Sequence, residues 1–456
     1  MSTNPGGLSQ GLPSRGGGSQ RCGPRFRRPG PRLKRHGIRP KCQGSRRTDR
    51  CLSTLGSLCL LLLALTLQGC GYEPPASAAT GTRWDSAGME VVEHGSLAEY
   101  DAPVYPVEYL VRVSGNHASE EETFGRVLDA DLLPGGKLAV LDEHAAQVRV
   151  FSPDGTFLRA MGRKGPGPGE LSGGLTLGML VLPGGRLALP DLGNQAFVVF
   201  DSTGAHRENL PWDVMEETIP QWRVLSSDTV MALVTAEEQN AWVARTLAGH
   251  WRDTLAVRPP PLESPVPSEG LSPLLANHVL WSVEAPDRLA ISQMSLPALT
   301  LFQEGRLTRV IRWEDDAGPL SEGETETLFR VAARGMGSAD GDPALARRYF
   351  AAPDRVHAMA DLELGSSLIL VQRLRALEDM DERILRVFGA AGFGGPLWDA
   401  FSWSGSYLGV VDFGGNVELF RVRGDTLVGV LEDSLGVATP FVGRLPAELR
   451  QEGPVP

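Results

Sequence analysis

The chain has 456 residues and a formal net charge of −11, with 54 glycines and 34 prolines. Glycine well above its usual ~7% of residues favours many turns and therefore many short strands. The charge is uneven: residues 1–50 hold 13 basic side chains against one acid, Asp49, which leaves 31 basic and 54 acidic groups, a net charge of −23, for the remainder. An acidic body of that size repels a phosphate backbone, which argues against general nucleic-acid binding.

The N-terminus is organised like an export signal. Residues 1–44 are low-complexity sequence rich in Gly, Arg and Pro, and we expect the basic segment 1–50 to be disordered. Residues 51–72 contain no charged side chain, and the stretch LGSLCLLLLALTL within them is strongly apolar. A basic segment, an apolar run and then small residues is the order of a secretory signal peptide, so we assign residues 51–69 to its apolar region.

The apolar run ends in LQGC, residues 67–70, which resembles the bacterial lipobox. That resemblance implies cleavage before Cys70 and attachment of diacylglycerol to its thiol. All five cysteines lie at or before Cys70, so the mature chain can form no internal disulfide. The alternative is a transmembrane signal anchor, because about 20 apolar residues can span a bilayer. We expect a lipid-anchored protein of the cell envelope, on the periplasmic or cell-surface side with the outer membrane favoured, and a lipidated linker over residues 70–103.

An internal repeat predicts the fold. Residues 133–155 align without a gap on residues 182–204 at an offset of 49. Each unit reads as a four-stranded meander, and its Pro-Gly-Gly places proline and glycine where a type II turn requires them. Four short strands in just under fifty residues is the size of a β-propeller blade.

The sequence predicts an all-β domain over residues 104–446, a six-bladed β-propeller in which residues 107–115 supply the last blade's outer strand and close the ring. We place the blades approximately at residues 126–165, 175–212, 218–258, 277–314, 355–411 and 415–445. Residues 319–353 are predicted to be a helical insertion, because Ser321 and Glu324 form a capping-box pattern.

Two stretches, residues 127–171 and the C-terminal LWDAFSWSGSYLGVV…RGDTLVGVLEDSLGVATPFVGRL, resemble bacterial six-bladed β-propeller proteins akin to NHL repeats. The resemblance covers about residues 104–445. Many such proteins are secreted or lipid-anchored, so the resemblance implies fold and address more firmly than it implies function.

The glycine-rich stretch MGRKGPGPGEL, residues 161–171, is the first candidate site. A phosphate-binding loop needs a following helix and a Gly-Lys-Ser/Thr ending. Here another strand pattern follows, and Arg163 and Lys164 precede the glycines. We interpret the stretch as a connector between blades.

Asp142 and Asp191 recur at the same place in two blades, with Asn194 nearby. They could converge on the axis and hold Ca²⁺, or they could accept hydrogen bonds from loop backbone. Their recurrence favours the structural role, because active sites are built from residues that break a repeat.

The remaining candidates give no catalytic pattern. None of the seven histidines after Cys70 is paired at a metal-ligand spacing; they are His94, His117, His144, His206, His250, His278 and His357. The RGD tripeptide at residues 423–425 falls where a hairpin turn is expected, and the nine tryptophans are expected to pack between blades.

We therefore expect a monomeric, non-enzymatic binding or scaffolding module for a peptide, protein or small ligand, tethered to a membrane through Cys70. No catalytic, cofactor-binding or metal-binding residue is assigned, and no cofactor is expected, although Ca²⁺ on the axis stays open. The alternative is a metal-dependent hydrolase or lyase with Ca²⁺ or Zn²⁺ on the axis, of the propeller lactonase or amidating-lyase type.

Overall fold

The computed structural model describes residues 79–113, 122–211, 222–224, 229–236, 239–246, 251–257, 279–284, 287–294, 296–314, 319–352, 359–374, 394–433 and 435–450. The predicted basic segment, signal peptide and lipid-attachment residue Cys70 lie outside these residues. No helix in the described ranges is both long enough and apolar enough to cross a membrane.

Four short strands precede the repeated region: β1 (Thr82–Ser86), β2 (Met89–Ser96), β3 (Val104–Pro106) and β4 (Glu108–Arg112). The strands that follow form six sheets within the described residues. Sheet one contains β5 (Val127–Leu133), β6 (Lys137–Asp142), β7 (Gln147–Phe151) and β8 (Phe157–Met161). Sheet two contains β9 (Leu180–Leu182), β10 (Arg186–Asp191), β11 (Ala196–Phe200) and β12 (His206–Pro211).

The same four-strand order continues along the chain. Sheet three contains β13 (Trp222–Val224), β14 (Thr229–Ala236), β15 (Gln239–Thr246) and β16 (Trp251–Val257). Sheet four contains β17 (Val279–Glu284), β18 (Arg288–Gln293), β19 (Ala298–Gln303) and β20 (Arg306–Glu314). Sheet five contains β21 (Asp361–Leu364), β22 (Leu368–Leu374), β23 (Gly394–Ser402) and β24 (Tyr407–Asp412), and sheet six contains β25 (Asn416–Arg423), β26 (Thr426–Glu432) and β27 (Ala438–Arg444).

Within each sheet, the strands named above form an antiparallel meander that begins with the inner strand. Strand β3 joins sheet five by pairing in parallel with β24. Strand β5 contacts β9 and β25, strand β9 contacts β13, and strand β21 contacts β17 and β25. The guanidinium of Arg223 on β13 lies 5.7 Å from the ring centroid of Trp281 on β17, which links sheets three and four. The inner strands therefore follow one another around a common axis, which is the arrangement of a β-propeller.

The apolar core lies between neighbouring sheets. Along β6, Leu138 and Val140 pack towards sheet six, whereas Ala139 and Leu141 pack towards sheet two. Both faces of such a strand are buried, which explains why its sequence KLAVLD is apolar at consecutive positions instead of alternating with polar residues.

The Pro-Gly-Gly turns have the predicted conformation. Gly135 and its repeat equivalent Gly184 both have φ of +80°, the left-handed value that the third position of a type II turn demands. The Gly136 amide donates to the Leu133 carbonyl at 3.2 Å and closes the turn.

The predicted outer strand of the last sheet is present. Strand β4 pairs antiparallel with β27, with Tyr109 opposite Gly443 and Arg112 opposite Phe441. Strand β4, near the start of the domain, and the C-terminal strands therefore share sheet six.

The segment before β4 differs from its prediction as a linker. Between residues 79 and 103, strands β1 and β2 extend sheet four to six strands, and β2 pairs in parallel with β20. The physical reason is burial: Val91, Val92 and His94 on β2 are each at most 3% exposed.

The helical insertion is confirmed in the described residues. Helix α1 (Glu322–Gly335) begins at the capping box of Ser321 and Glu324, and α2 (Pro343–Ala346) follows it. Leu328, Val331 and Ala332 of α1 form a small separate core. Short 3₁₀ turns occupy Leu97–Glu99 and Ala447–Leu449.

Removing β4 should open the ring. A chain that starts at residue 116 loses β1 to β4 and leaves the β27 edge unpaired, so we expect it to melt about 10 °C or more below a chain that starts at residue 79, or to aggregate. A chain that starts at residue 104 keeps β3 and β4 and is the matched control. Its melting temperature should fall by less than that of the chain that starts at residue 116. Equal melting temperatures for the chains starting at 104 and 116, measured by circular dichroism, would contradict this account.

Candidate functional site

The glycine-rich stretch is a connector, as its sequence predicts. It runs from the end of β8 towards β9, with no helix between them. Glu170 accepts a hydrogen bond from the Gly167 amide at 2.9 Å and pairs with Arg163 at 2.6 Å. The loop therefore satisfies its own amides and pairs its arginine with its own carboxylate, which leaves no cradle of amides aimed at a phosphate.

The repeated aspartates have the structural role that their recurrence favours. Asp142 accepts hydrogen bonds from the amides of Gly125 and Ala145. Asp191 accepts them from the amides of Ser172 and Asn194. Both carboxylates therefore fasten the loop that enters each sheet to the turn that follows its second strand.

The histidines in the described residues give no cluster. His94 is buried and its Nε2 lies 2.8 Å from the Gly405 carbonyl, while the His206 ring bonds to Asn209 at 2.8 Å. His117, His250, His278 and His357 lie outside the described residues. Within the described ranges, no three His, Cys, Asp or Glu side chains are placed to hold a metal ion.

Charged side chains on the inner strands meet at the axis instead. Asp131 of β5 accepts from Arg423 Nε at 2.8 Å and from its Nη2 at 2.5 Å. Asp129 of the same strand accepts from Arg421 Nη2 at 3.0 Å and from the Met179 amide at 2.8 Å. These ion pairs join the last sheet to the first, and the Met179 contact extends the network to the segment that enters sheet two.

A second group of contacts joins the remaining sheets. Glu363 of β21 pairs with Arg223 of β13 at 3.1 Å and accepts from the Ser282 hydroxyl of β17 at 3.0 Å. Sheets three, four and five therefore meet at one carboxylate. Together the two groups contain side chains from five sheets, and the Met179 amide adds the segment that enters sheet two. We call this set the axial network, and its members are Asp129, Asp131, Arg223, Ser282, Glu363, Arg421 and Arg423.

The charges on Arg421 and its neighbours support one another. Burial alone would lower the pKa of the Arg421 guanidinium. The carboxylates of Asp129, Asp131 and Glu363 have the larger combined effect and raise that pKa. Such buried pairs are stabilising only as complete sets, since removing one partner leaves an uncompensated buried charge.

Two further acids on the axis have no ion-pair partner among the described residues. Burial, together with the neighbouring carboxylate of Asp361, raises the pKa of Glu418 to about 8. Burial and the neighbouring Glu363 raise the pKa of Asp361 to about 7. Both side chains are partly exposed. With these pKa values Glu418 is mostly protonated near neutral pH, whereas Asp361 is divided between its protonated and ionised forms.

A cavity of about 630 Å³ opens where the inner strands end. Its charged lining residues include Asp131, Arg223, Arg421 and Arg423. Its apolar walls come from the ends of β5, β9, β13, β17 and β25, and the residues are Leu132, Leu133, Pro134, Met179, Leu180, Val181, Leu182, Pro183, Val224, Val283 and Val422. A cavity of this size, lined by both apolar side chains and charged groups, falls in the range of small-ligand sites.

Sequence reasoning missed this network, although the repeat contained a signal. At the offset of 49, Asp129 corresponds to Gly178 and Asp131 to Leu180. These two acids therefore break the repeat, whereas Asp142 and Asp191 keep it. The RGD segment was correctly predicted as a turn, since Arg423 pairs with Thr426 across the hairpin, but its arginine also belongs to the axis.

The sequence matches no protein-family model and no curated protein. Among solved structures, the chain is similar to a Bacteroides fragilis protein that is described as an exported protein. The two share 10% identity with a TM-score of 0.45, over 78% of this chain and 99% of that one. It is also similar to virginiamycin B lyase from Staphylococcus aureus with quinupristin, at 10% identity and a TM-score of 0.36, over 71% and 86%. A third similarity is to the calcium-binding protein regucalcin from Agrobacterium tumefaciens, at 10% identity and a TM-score of 0.38, over 76% and 98%. With TM-scores below 0.5 in all three cases, the assignment of the fold rests on the strand topology.

The raised pKa of Glu418 predicts a pH dependence of stability. The folded state holds the proton up to about pH 8, whereas the unfolded chain releases it near its ordinary value of 4.5, so the native state loses stability as pH rises between these values. Glu418→Gln cannot ionise and should escape that loss. We expect the variant to be more stable than the wild type by about 1 kcal/mol or more at pH 8.5, and to differ little at pH 5.

Urea unfolding at the two pH values measures this difference. The matched control is Glu208→Gln, which changes an exposed carboxyl on β12 and should show no such pH-dependent gain. Parallel stability-versus-pH curves for the wild type and Glu418→Gln would show that the carboxyl ionises normally in the folded protein.

Proposed function

We propose that this chain is a six-bladed β-propeller lipoprotein that binds a peptide, protein or small ligand in its axial cavity, without performing chemistry on it. Each of the six described sheets is one blade in this proposal, and the pairing of β4 with β27 closes the ring. The similarity of the repeat to NHL-type bacterial propellers supports the same assignment.

The composition of the cavity wall carries the proposal. Among the described residues that line it there is no His, Ser, Thr, Cys, Lys or Tyr. Its two acids are both in ion pairs, Asp131 with Arg423 and Glu284 with Arg288. A carboxylate held by a guanidinium is a poor general base, because the positive charge favours its ionised form and occupies its lone pairs.

The same observation weighs against the metal-dependent hydrolase or lyase. Among the described residues, the acids on the axis either pair with arginines or do not form a group of three His, Cys, Asp or Glu side chains that could hold a metal ion. Ca²⁺ and Zn²⁺ require several convergent oxygen, nitrogen or sulfur ligands. The arrangement therefore favours recognition over metal-assisted catalysis.

The proposed location follows from the N-terminal sequence. The apolar segment 51–69 and the LQGC motif support export and lipid attachment at Cys70. In this proposal the domain is a monomer that the lipid tethers to the outer face of a bacterial membrane, with the outer membrane favoured.

A neutral apolar probe tests the binding role. N-phenylnaphthylamine, which carries no charge at neutral pH, should bind the wild type saturably with enhanced fluorescence. Val283→Trp places a larger ring in the cavity wall and should raise the Kd about tenfold or more. Leu307→Trp, at a 38% exposed position on β20 and outside the cavity lining, is the control and should bind like the wild type. Absence of saturable binding, or equal Kd values for all three proteins, would defeat the proposed cavity role.

The lipid anchor has its own test. Cys70→Ala should leave the precursor uncleaved or release the protein from membranes, because the residue that accepts diacylglycerol is gone. Cys59→Ala changes a cysteine inside the apolar run and should be processed normally. Cell fractionation and the intact mass of the purified protein report both effects. Unchanged fractionation and mass for Cys70→Ala would show that the chain is held in some other way.

A further inference from the structure

We infer that the axial cavity selects ligands with an apolar body and a terminal carboxylate, and that Arg423 is the residue that binds the carboxylate. The inference rests on the proposed binding role of the cavity and adds the chemical class of the ligand. It depends on the different surroundings of the two arginines at the end of β25.

Arg421 is committed to the fold. Its Nη1 donates to the Phe420 carbonyl at 2.5 Å. Its Nη2 donates to Asp129 at 3.0 Å and to the Met179 carbonyl at 3.2 Å, and its Nε lies 3.5 Å from Asp131. Only 15% of the Arg421 side chain is exposed, so little of its guanidinium surface is accessible to a ligand.

Arg423 is oriented but still accessible. Asp131 holds its Nε and Nη2, and that carboxylate is only 2% exposed, so the plane of the guanidinium is fixed from the buried side. Even so, 48% of the Arg423 side chain is exposed. Its Nη1 has no acceptor among the described residues. A positioned guanidinium loses little entropy when it binds a planar carboxylate, and charge-assisted hydrogen bonds are among the stronger ones.

The wall beside Arg423 is apolar and comes from equivalent positions in several sheets. Leu132 and Val181 correspond in the repeat, and Val224 and Val283 lie near the ends of β13 and β17. All four side chains are partly exposed to the cavity. They offer contact area to an aliphatic or aromatic chain, and little to a sugar or a nucleotide.

The charges at the cavity favour an anion over an amine. Asp131 is buried beneath Arg423, and Glu284 pairs with Arg288 at 3.3 Å. Each of the two lining carboxylates therefore already has a guanidinium partner. Arg423 is the most exposed of the three lining guanidiniums, since Arg223 and Arg421 are 21% and 15% exposed and paired with Glu363 and Asp129. A single well-exposed guanidinium suits a monoanion better than a phosphate dianion.

Two peptides that differ only in their terminal group test the inference. N-acetyl-leucyl-leucine has a carboxylate, and N-acetyl-leucyl-leucinamide has the same body with a neutral end. By calorimetry at pH 7.5, the wild type should bind the acid about tenfold or more tightly than the amide. In Arg423→Gln the preference should fall below about threefold, while the affinity for the amide should hardly change. Arg423→Lys should retain part of the preference.

The control is Arg347→Gln, an arginine of the helical insertion that contacts Glu326 and lies off the axis, and it should keep the full preference. Equal affinities of the wild type for acid and amide, undetectable binding of both at millimolar concentration, or a preference that survives Arg423→Gln would each overturn the inference. Inorganic phosphate that displaced the acid better than acetate would also do so, since it would indicate a phosphate site. The neutral probe still reports separately on the cavity, so a failure here is distinguishable from a failure of the proposed function.

Discussion

The ion pairs between the first and last sheets are the constraint on which the rest of the structure depends. Asp129 and Asp131 are separated by about 290 residues from Arg421 and Arg423 in the chain, and the contact between β5 and β25 brings them together. Buried charges are costly to desolvate and are stable here only because they are paired. Asp131, Arg421 and Arg423, which join the first sheet to the last, also line the cavity. A change to these contacts therefore alters both the closure of the ring and the geometry of the site.

The fold could be predicted from the sequence because it depends on local patterns. The repeat, its Pro-Gly-Gly turns and the capping box of Ser321 predicted strand ranges and a helical insertion that agree closely with the structure. The pairing of β4 with β27 could also be predicted, since sheet six lacked a fourth strand. The parallel pairing of β2 with β20 could not, because β17 to β20 already supply the four strands of sheet four and no missing strand indicated a further partner.

The candidate site was missed for a related physical reason. Repeated residues such as Asp142 and Asp191 stand out in an alignment, and they fasten loops. The residues that differ between repeats make the axis specific, and Asp129 and Asp131 lie just before the segment that aligns best. Their significance also depends on Arg421 and Arg423, whose proximity only the closed ring reveals. In a propeller, comparison of inner-strand positions across blades is therefore more informative about function than the best-aligned part of the repeat.

The balance of charge along the axis links the protonated acids to the arginines. Asp129, Asp131 and Glu363 are three carboxylates that face the three guanidiniums of Arg223, Arg421 and Arg423. Asp361 and Glu418 are in no ion pair among the described residues, so burial and the neighbouring carboxylates raise their pKa values to about 7 and about 8. A carboxylate bound at Arg423 would add one negative charge to the same axis and would be better tolerated while these two acids hold their protons. On this account ligand binding and the protonation of Asp361 and Glu418 favour each other, because both determine how much negative charge the axis carries.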